Sequence, residues 1–498
     1  MKPNNQTTGM RGFVIVWIGQ VVSMLGTGMT SFALAVWIYQ KTGEATALTT
    51  AVFFFMAPSV LFSPIAGAIV DRGNRKQIMI LSDVIAGVVT IGWVLLLAGG
   101  QLQLWHIYIG NIVAGAANSF QFPAYSAAVS LMLPKEQYGR AAGMLSLAHS
   151  ASGILAPAFA SALLGVIGLT GIMTIDVVTF LFAVGALLAV FIPQPKESKE
   201  GASNKGNLWQ ESLFGFKYIF RRPSLLGLQL VFFVINFIAM LGFAVMVPMI
   251  LARTGNNEVI LGSTQSLGAV GGVLGGLLLS TWGGPKRKVN GVLLGMVGMS
   301  LFSQVTMGIG QTLFVWAAAS FMGQFILPIL NGSNQAIWQA KVAPDVQGRV
   351  FSVRRLIAQV TAPVATAVAG PLADNLFEPA MRSEGVLANT FGWLVGTGPG
   401  AGMGLMFVIS GLIGVMVGLS GYLFPAIRNV EKILPDHDLV TEEAQVKLRL
   451  DTLLARRAEL AQAASKSHEQ DEELQAIHQE LQQIGTQYAH LYVESETD

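Results

Sequence analysis

The stretch GAIVDRGNRK, residues 67–76, separates two apolar runs of roughly membrane-spanning length, 46–70 and 77–99. Asp71, Arg72, Arg75 and Lys76 crowd into it, although only 12% of the chain is charged and 52% is hydrophobic. Soluble domains carry about 25% charged residues, so the stretch reads as a tight polar turn between two spans. Working outward, a span needs about 20 apolar residues. Twelve stretches qualify: 13–39, 46–70, 77–99, 103–125, 138–167, 170–192, 224–250, 259–282, 289–309, 312–338, 350–373 and 400–425. The expected fold class is an all-α membrane protein with twelve transmembrane helices, which excludes a typical soluble enzyme.

Charge sets the expected orientation. The body, 1–427, holds 23 Lys/Arg, of which Lys41, Arg253 and Arg382 alone fall in the odd-numbered loops. Positive residues concentrate on the cytoplasmic side, so both termini are expected there, in a plasma (inner) membrane. The first apolar run is too long for a signal-peptide core and reads as a retained helix. Residues 428–498 invert the balance, with 7 Lys/Arg against 15 Asp/Glu. Cysteine is absent, so disulfides and thiolate metal sites play no part. The basic residues lie in short loops rather than on one helix face, which argues against nucleic acid as a partner.

The longest polar interruption, PQPKESKEGASNKGNLWQES, follows the sixth span and divides the body in two. NSFQFPAYSAAVSLMLPKEQYGRAAGMLSL and ILPILNGSNQAIWQAKVAPDVQGRVFSVRRL form a weak repeat, pairing Pro134 with Pro344 and Arg140 with Arg349. The domains expected are a six-helix bundle at 1–192, a cytoplasmic linker at 193–223, a second six-helix bundle at 224–427 and an acidic helical tail at 428–498, the bundles being pseudo-symmetric. In the tail, Val446, Leu450, Leu453, Leu460 and Ala464 form one apolar stripe, and Leu474, Ile477, Leu481, Ile484, Tyr488 and Leu491 a second, out of phase with it. A helical hairpin fits this, with a stuttered coiled coil as the rival. The tail is either a solvated appendage or a surface for a protein partner or self-association.

The spacing in residues 67–76, a glycine, three residues, Asp-Arg, two residues and Arg-Lys, resembles the loop 2–3 signature of the major facilitator superfamily. Asn74 stands where the usual second glycine would be, as in the branch of macrolide exporters. ESLFGFKYIFRRPSL, TIDVVTFLFAVGALL and GPLADNLFEPAM also resemble that branch. The resemblance covers residues 12–427 and implies two halves rocking about a central site. It also implies a conformational latch. Gly67 would permit close helix approach, Asp71 would meet a helix N-terminus or a basic residue of the other half, and Arg72, Arg75 and Lys76 would hold the inner interface or lipid headgroups. The competing reading is a basic loop that serves topology alone.

Acidic residues inside spans are costly and often functional. Asp83 in the third span and Asp176 in the sixth are candidates for proton coupling; the alternatives are an ion pair with the basic cluster for Asp83 and capping or interhelical hydrogen bonding for Asp176. His149 is a third candidate, or a packing residue. HSASGILAPAFAS, with Gly153 and Pro157, partly resembles an antiporter signature. Candidate substrate-cavity residues are Gln20, Ser23, Thr27, Asn111, Asn118, Gln121, Asn236, Gln265, Gln324, Asn331, Asn334 and Gln335, each equally able to serve as interhelical glue. No HExxH spacing and no Walker lysine loop occurs, so no metal and no cofactor is expected, only a proton gradient. The expected function is secondary active efflux of a lipophilic or amphipathic small molecule across the bilayer. The alternatives are an uptake permease, or a transporter-like scaffold or sensor acting through the tail.

Overall fold

The structure is a computed structural model that describes residues 9–133, 138–192, 215–342, 344–434 and, in the tail, 449–450, 452–454, 456–457, 460 and 468–487. The side chains of Gly67, Asp71 and Arg72 and of the repeat pairs Pro134/Pro344 and Arg140/Arg349 lie outside the described residues. The described elements are helices, as a chain surrounded by lipid requires, because each backbone N–H must find its acceptor within its own segment. The first five are α1 (Gly9–Thr42), α2 (Ala45–Arg72), α3 (Arg75–Ala98), α4 (Leu104–Met132) and α5 (Tyr138–Ala189). After the linker come α6 (Pro223–Ala244), α7 (Met246–Thr254), α8 (Glu258–Trp282), α9 (Lys288–Met299), α10 (Thr306–Ile309), α11 (Leu313–Lys341) and α12 (Pro344–Leu372). The last are α13 (Glu378–Ala380), α14 (Ala388–Val395), α15 (Ala401–Leu423), α16 (Pro425–Arg428), α17 (Val430–Ile433) and α18 (His468–Gln487).

α5 runs for 52 residues, about 78 Å if straight, more than twice the ~30 Å hydrocarbon thickness. Gly168 breaks it, with φ 64° and ψ −178°, a backbone region open to glycine and closed to other residues. The chain doubles back there. α1 therefore packs against both limbs, Gly28 beside Ala156 and Gly19 beside Ala186. Among the described residues ten helices are long and apolar enough to cross a membrane, with the two limbs of α5 counted together. α4, which carries Asn111, Asn118 and Gln121, is not among the ten.

Packing sorts the helices into two groups. α1 to α5 pack on one another, and α6, α8, α9, α11, α12 and α15 form the second group. Two seams join them, α2 against α12 and α5 against α8. At the first seam Gly370 of α12 lies so close to α2 that an added Cβ would sit 2.1 Å from Thr49 Oγ1. At the second, Ser266 Oγ donates to the Ile154 carbonyl at 2.7 Å, and Gly262 abuts Ser161 and the Pro157 carbonyl. Gly153 and Pro157, singled out in the sequence, thus face α8. These contacts gather toward one end of the bundle, the far face, where the turns at 43–44, 168 and 255–257 lie. Toward the other end, the basic face, α2 exposes Leu61, Phe62, Ile65 and Ile69, whereas its first turns, at Ala45, Ala47, Leu48 and Ala51, are buried.

The far face is bound together by Arg253. Its guanidinium donates to the carbonyls of Gly400 at 3.2 Å, Gly308 at 3.1 Å and Val395 at 2.9 Å, and also to that of Gly310. The Gly308, Gly310 and Val395 carbonyls lie at helix C-terminal ends, where intrahelical partners run out, whereas that of Gly400 also accepts from the Gly404 N–H at 3.0 Å. Glu378 completes the arrangement by accepting from the backbone N–H groups of Gly400 and Met403 at 3.1 and 2.9 Å, at the start of α15. In the tail, Leu453 and Leu460 bury against Ile477, with Leu474, Leu481 and Ile484 alongside, and Arg449 Nε donates to Glu480 at 2.7 Å.

Arg253→Met keeps the apolar stem and removes the charged donors. Because hydrogen bonds to charged groups contribute about 1.5–3 kcal/mol each and the orphaned carbonyls are partly buried, the variant is expected to lose about 3 kcal/mol or more of stability. A fall in the detergent-solubilised melting midpoint, followed by fluorescence-detected size exclusion, checks it.

Candidate functional site

Three residues selected from sequence meet in one cluster. Gln20 Nε2 of α1 donates to Asp83 Oδ2 at 3.1 Å, and Gln121 Nε2 of α4 donates to Asp83 Oδ1 at 2.8 Å and to Gln20 Oε1 at 3.1 Å. Asp83 lies two turns into α3, counted from the basic face. Of the basic cluster that offered an ion pair as one alternative for Asp83, Lys76 is engaged elsewhere: its Nζ donates to the carbonyls of Leu188 and Val190 at 3.1 and 2.8 Å, closing the end of α5. That placement follows from a helix C-terminus attracting a cation to its unsatisfied carbonyls. Gln121 Oε1 is buried with no hydrogen-bond partner.

Asp176 forms a second centre. It is 4% exposed, with Thr27 Oγ1 donating to its Oδ1 at 3.0 Å and Thr90 Oγ1 reaching its Oδ2 at 3.5 Å. The two carboxylates share helices α1 and α3, Thr27 standing seven residues beyond Gln20 and Thr90 seven beyond Asp83. Seven residues are two turns of one helix face, so the centres stack along the same wall.

The remaining candidates separate. Asn111 Nδ2 donates to the Ala51 carbonyl at 2.8 Å and Asn118 Nδ2 to Ser59 Oγ at 3.3 Å, which fastens α4 to α2. Asn334 accepts from Trp338 Nε1 at 3.1 Å within the core of α11. Asn236 lines a 470 Å³ cavity with Phe55, Met56, Phe243, Met299 and Gln359, where α2, α6 and α12 converge. Ser23 and Gln265 are half-buried, Gln324, Asn331 and His149 are exposed, and none of the five has a hydrogen-bond partner among the described residues. Of the latch residues with described side chains, Lys76 caps α5 and Arg75 Nε is buried without a partner. Asn74, the departure from the signature, has a local explanation: its Oδ1 accepts from the Gln77 N–H at 3.2 Å as the N-cap of α3, a position that favours Asn over an apolar residue.

Sequence reasoning missed two features. Arg354, counted from sequence only among the cytoplasm-side cations of the stretch 350–373, lies inside α12, where its guanidinium stands 5.3 Å from the Trp338 ring centre and donates to Gln335 Oε1 at 2.8 Å. Asp374, in the GPLADNLFEPAM stretch, reaches across the first seam. Its carboxylate accepts from the N–H groups of Ala45 and Thr46 at 3.1 and 2.6 Å, capping α2 from the opposite group of helices. The signal was available, since an acid at the far end of α12 stands where only three cations exist to pair it, and a helix N-terminus is the other natural acceptor of its charge.

A chain of paired helical bundles, with carboxylates buried along one wall and its seams closed at one end, is a multi-pass membrane transporter. The family comparison agrees, matching the Major Facilitator Superfamily over residues 16–366, and the chain belongs to that family. It is similar to macrolide efflux protein A of Streptococcus pyogenes, 29% identical over 369 residues, covering 73% of this chain and 90% of that protein. It is also similar to the multidrug efflux pump Tap of Mycolicibacterium fortuitum, 24% identical over 391 residues, covering 74% and 91%. Among solved structures, an inward-facing bacterial homolog of the human lysosomal transporter Spinster aligns with a TM-score of 0.61 at 16% identity, over 84% of this chain and 98% of that one. The nucleoside transporter NupG aligns with a TM-score of 0.56 at 12% identity, over 82% and 98%.

Asp374→Ala strips the cap from α2 and one tie from the seam. A lost cap costs about 1 kcal/mol, so the ratio of closed to open far face is expected to fall roughly fivefold. The chain has no cysteine, so spin labels at Glu44→Cys and Glu384→Cys report the distance across this face without background. An unchanged distance distribution would contradict the assignment.

Proposed function

We propose that the chain is a twelve-span proton-coupled exporter of lipophilic or amphipathic compounds, working by alternating access between bundles 1–192 and 224–427, with 193–223 as linker and 428–498 as a cytoplasmic tail. The twelve spans follow from counting the two limbs of α5 separately and including α4. With the basic face in the cytoplasm, a closed far face and exposed basic-face turns of α2 correspond to an inward-facing state. The functions for which the relatives are named, macrolide and multidrug efflux, favour export of bulky amphipathic molecules. The cavity beside Asn236, walled by Phe55, Met56, Phe243 and Met299, has the mixture of apolar surface and sparse polar groups such molecules bind.

The Gln20–Asp83–Gln121 cluster carries the coupling reading. An ionised carboxylate accepts hydrogen bonds only, and both amides present N–H to it. Protonation converts one oxygen into a donor, which then opposes an amide donor. Half a turn of the Gln121 amide relieves the conflict, because Oε1, buried and unpartnered in the ionised arrangement, accepts the new O–H. Gln20 and Gln121 belong to α1 and α4, so the proton state of Asp83 acts on the walls that carry it. Gly67, Asp71, Arg72, Arg75 and Lys76 act as the latch of the opposite, basic-face-closed state.

Proteoliposomes with an imposed pH gradient and a panel of macrolides, other amphipathic drugs, siderophores and nutrients test the reading. Expected are substrate-induced proton movement and uphill accumulation of at least one amphipathic compound. Asp83→Asn should retain downhill exchange and lose gradient-driven accumulation by about tenfold or more. Accumulation of a single nutrient in the import direction would favour the permease, and absence of flux across the panel would sink both.

A further inference from the structure

We infer that the pocket formed by Asp176, Thr27, Thr30 and Thr90 is a binding site for a dehydrated monovalent metal cation, with Na+ the fitting ion. The inference goes beyond the proton-coupling proposal. Asp176 sits eight residues past the Gly168 turn, on the second limb of α5, pressed against Gly26 of α1, where an added Cβ would lie 3.0 Å from Asp176 Cα and 2.2 Å from Thr179 Oγ1. No side chain larger than hydrogen fits between, so carboxyl and helix are held in contact.

The surroundings of this carboxyl are oxygens. Thr27 Oγ1 lies 3.0 Å from Oδ1 and Thr90 Oγ1 3.5 Å from Oδ2. Thr30 Oγ1, one turn beyond Thr27, is buried at 3% residue exposure and faces the same carboxyl without a well-formed hydrogen bond. Thr90 has a second outlet for its proton, the Ala86 carbonyl at 3.3 Å, which frees its lone pairs for a ligand. Two carboxylate and three hydroxyl oxygens from three helices make a hard-donor set suited to cations that bind through oxygen. A single carboxylate balances one positive charge. A divalent ion would be left half-neutralised, and among the described residues no group of three or more His, Cys, Asp or Glu exists to hold one.

Among the described residues no side chain supplies the neutralising charge. The cations of the packed elements, Arg11 and Lys41 on α1 and Arg75 and Lys76 on α3, sit at the helix ends, and Lys41 and Lys76 donate to backbone carbonyls. Tyr39 on α1, Asp83 on α3 and His149 on α5 are the other titratable groups of these helices with described side chains, and none hydrogen-bonds to Asp176. A buried carboxylate without a cationic side chain beside it binds a proton or another cation, because leaving its charge unbalanced costs several kcal/mol. The donor arrangement distinguishes the two occupants. A proton requires one acceptor, whereas a buried hydroxyl that faces the carboxyl without a well-formed hydrogen bond is an open ligand position. Thr27 is exposed on the same α1 face as Gln20 and Ser23, so it offers the ion a route from the surface to the buried oxygens.

The test is equilibrium binding of radiolabelled 22Na+ to the purified full chain at pH 8, read alongside its melting midpoint in NaCl against choline chloride. Expected are saturable binding at about one ion per chain and a midpoint that rises with Na+ concentration, as binding to the folded state alone requires. Asp176→Asn should abolish both, and Thr30→Val with Thr90→Val should weaken binding roughly tenfold or more, while Asp83→Asn retains saturable binding and does not weaken it. Absence of saturable binding to the unaltered chain, or binding retained in Asp176→Asn, would overturn the site, as would a protonated-carboxyl infrared band lost in Asp176→Asn but unmoved by Na+ in the unaltered chain. If Asp176→Asn fails to fold, the unaltered chain in Na+ against choline still decides. The measurement needs no flux, so failure of the export reading and failure of this site are separately visible.

Discussion

The structure turns on the shortage of charge in a chain that must finish many helices. Each helix leaves backbone N–H groups unpaired at its start and carbonyls at its end, and in a bilayer neither water nor a passing loop is at hand to satisfy all of them. The few ionised side chains of the body are assigned to that task. Asp374 caps α2, Glu378 caps α15, Lys76 closes α5, and Arg253 gathers the carbonyls of three chain ends. Because Asp374 and α2 belong to different helix groups, a local requirement of backbone chemistry becomes the tie between bundles, and the closed far face follows from it.

The same economy explains the second half of the basic face. The segment WGGPKRK repeats the charges of GAIVDRGNRK without an acid, which from sequence suggests a weaker junction. Glu431 supplies the missing carboxylate from beyond the last span, accepting from the N–H groups of Lys288 and Val289 at 3.0 Å each. Lys341 Nζ donates to the Glu431 carbonyl at 2.7 Å and Arg287 Nη2 to that of Arg428 at 3.0 Å. Ile427 and Val430 are buried beneath. The base of the tail is thereby part of the second group of helices, joined to the starts of α9 and the end of α11, so any force on the tail is delivered to those helices.

Much of this was legible in the sequence, and the exceptions share a cause. Apolar run lengths marked the spans because lipid imposes a fixed length and composition, and the turn at Gly168 fell in the two-residue gap between the fifth and sixth runs. Spacing along one helix face selected Gln20, Thr27 and Gln121 before their partners were known. Spacing is silent on what crosses from another helix: Asp83 as the partner of two glutamines, and Asp374 as a cap 328 residues from Thr46. Arg354 drew no notice beyond its charge because a cation near a span boundary ordinarily faces water, whereas here Trp338 and Gln335 give its planar head a surface and an acceptor within the bundle.

The stacking of Asp83 and Asp176 on the α1–α3 wall has a consequence for how their charges interact. Thr27 and Thr90 lie two turns beyond Gln20 and Asp83 on their own helices, so the two carboxyls are about 10 Å apart along the helix axis. At that distance two negative charges in a medium of effective dielectric ~20 repel by about 1.7 kcal/mol, enough that neutralising one makes the other roughly tenfold easier to ionise. Occupancy at Asp176 therefore raises the fraction of Asp83 that holds the two amides as acceptor. On the proposed occupancies, a cation at Asp176, toward the far face, and a proton at Asp83, nearer the basic face, would be linked through this repulsion without any movement of the helices, and the wall of α1 that bears both Gln20 and Thr27 would register the combined charge rather than either alone.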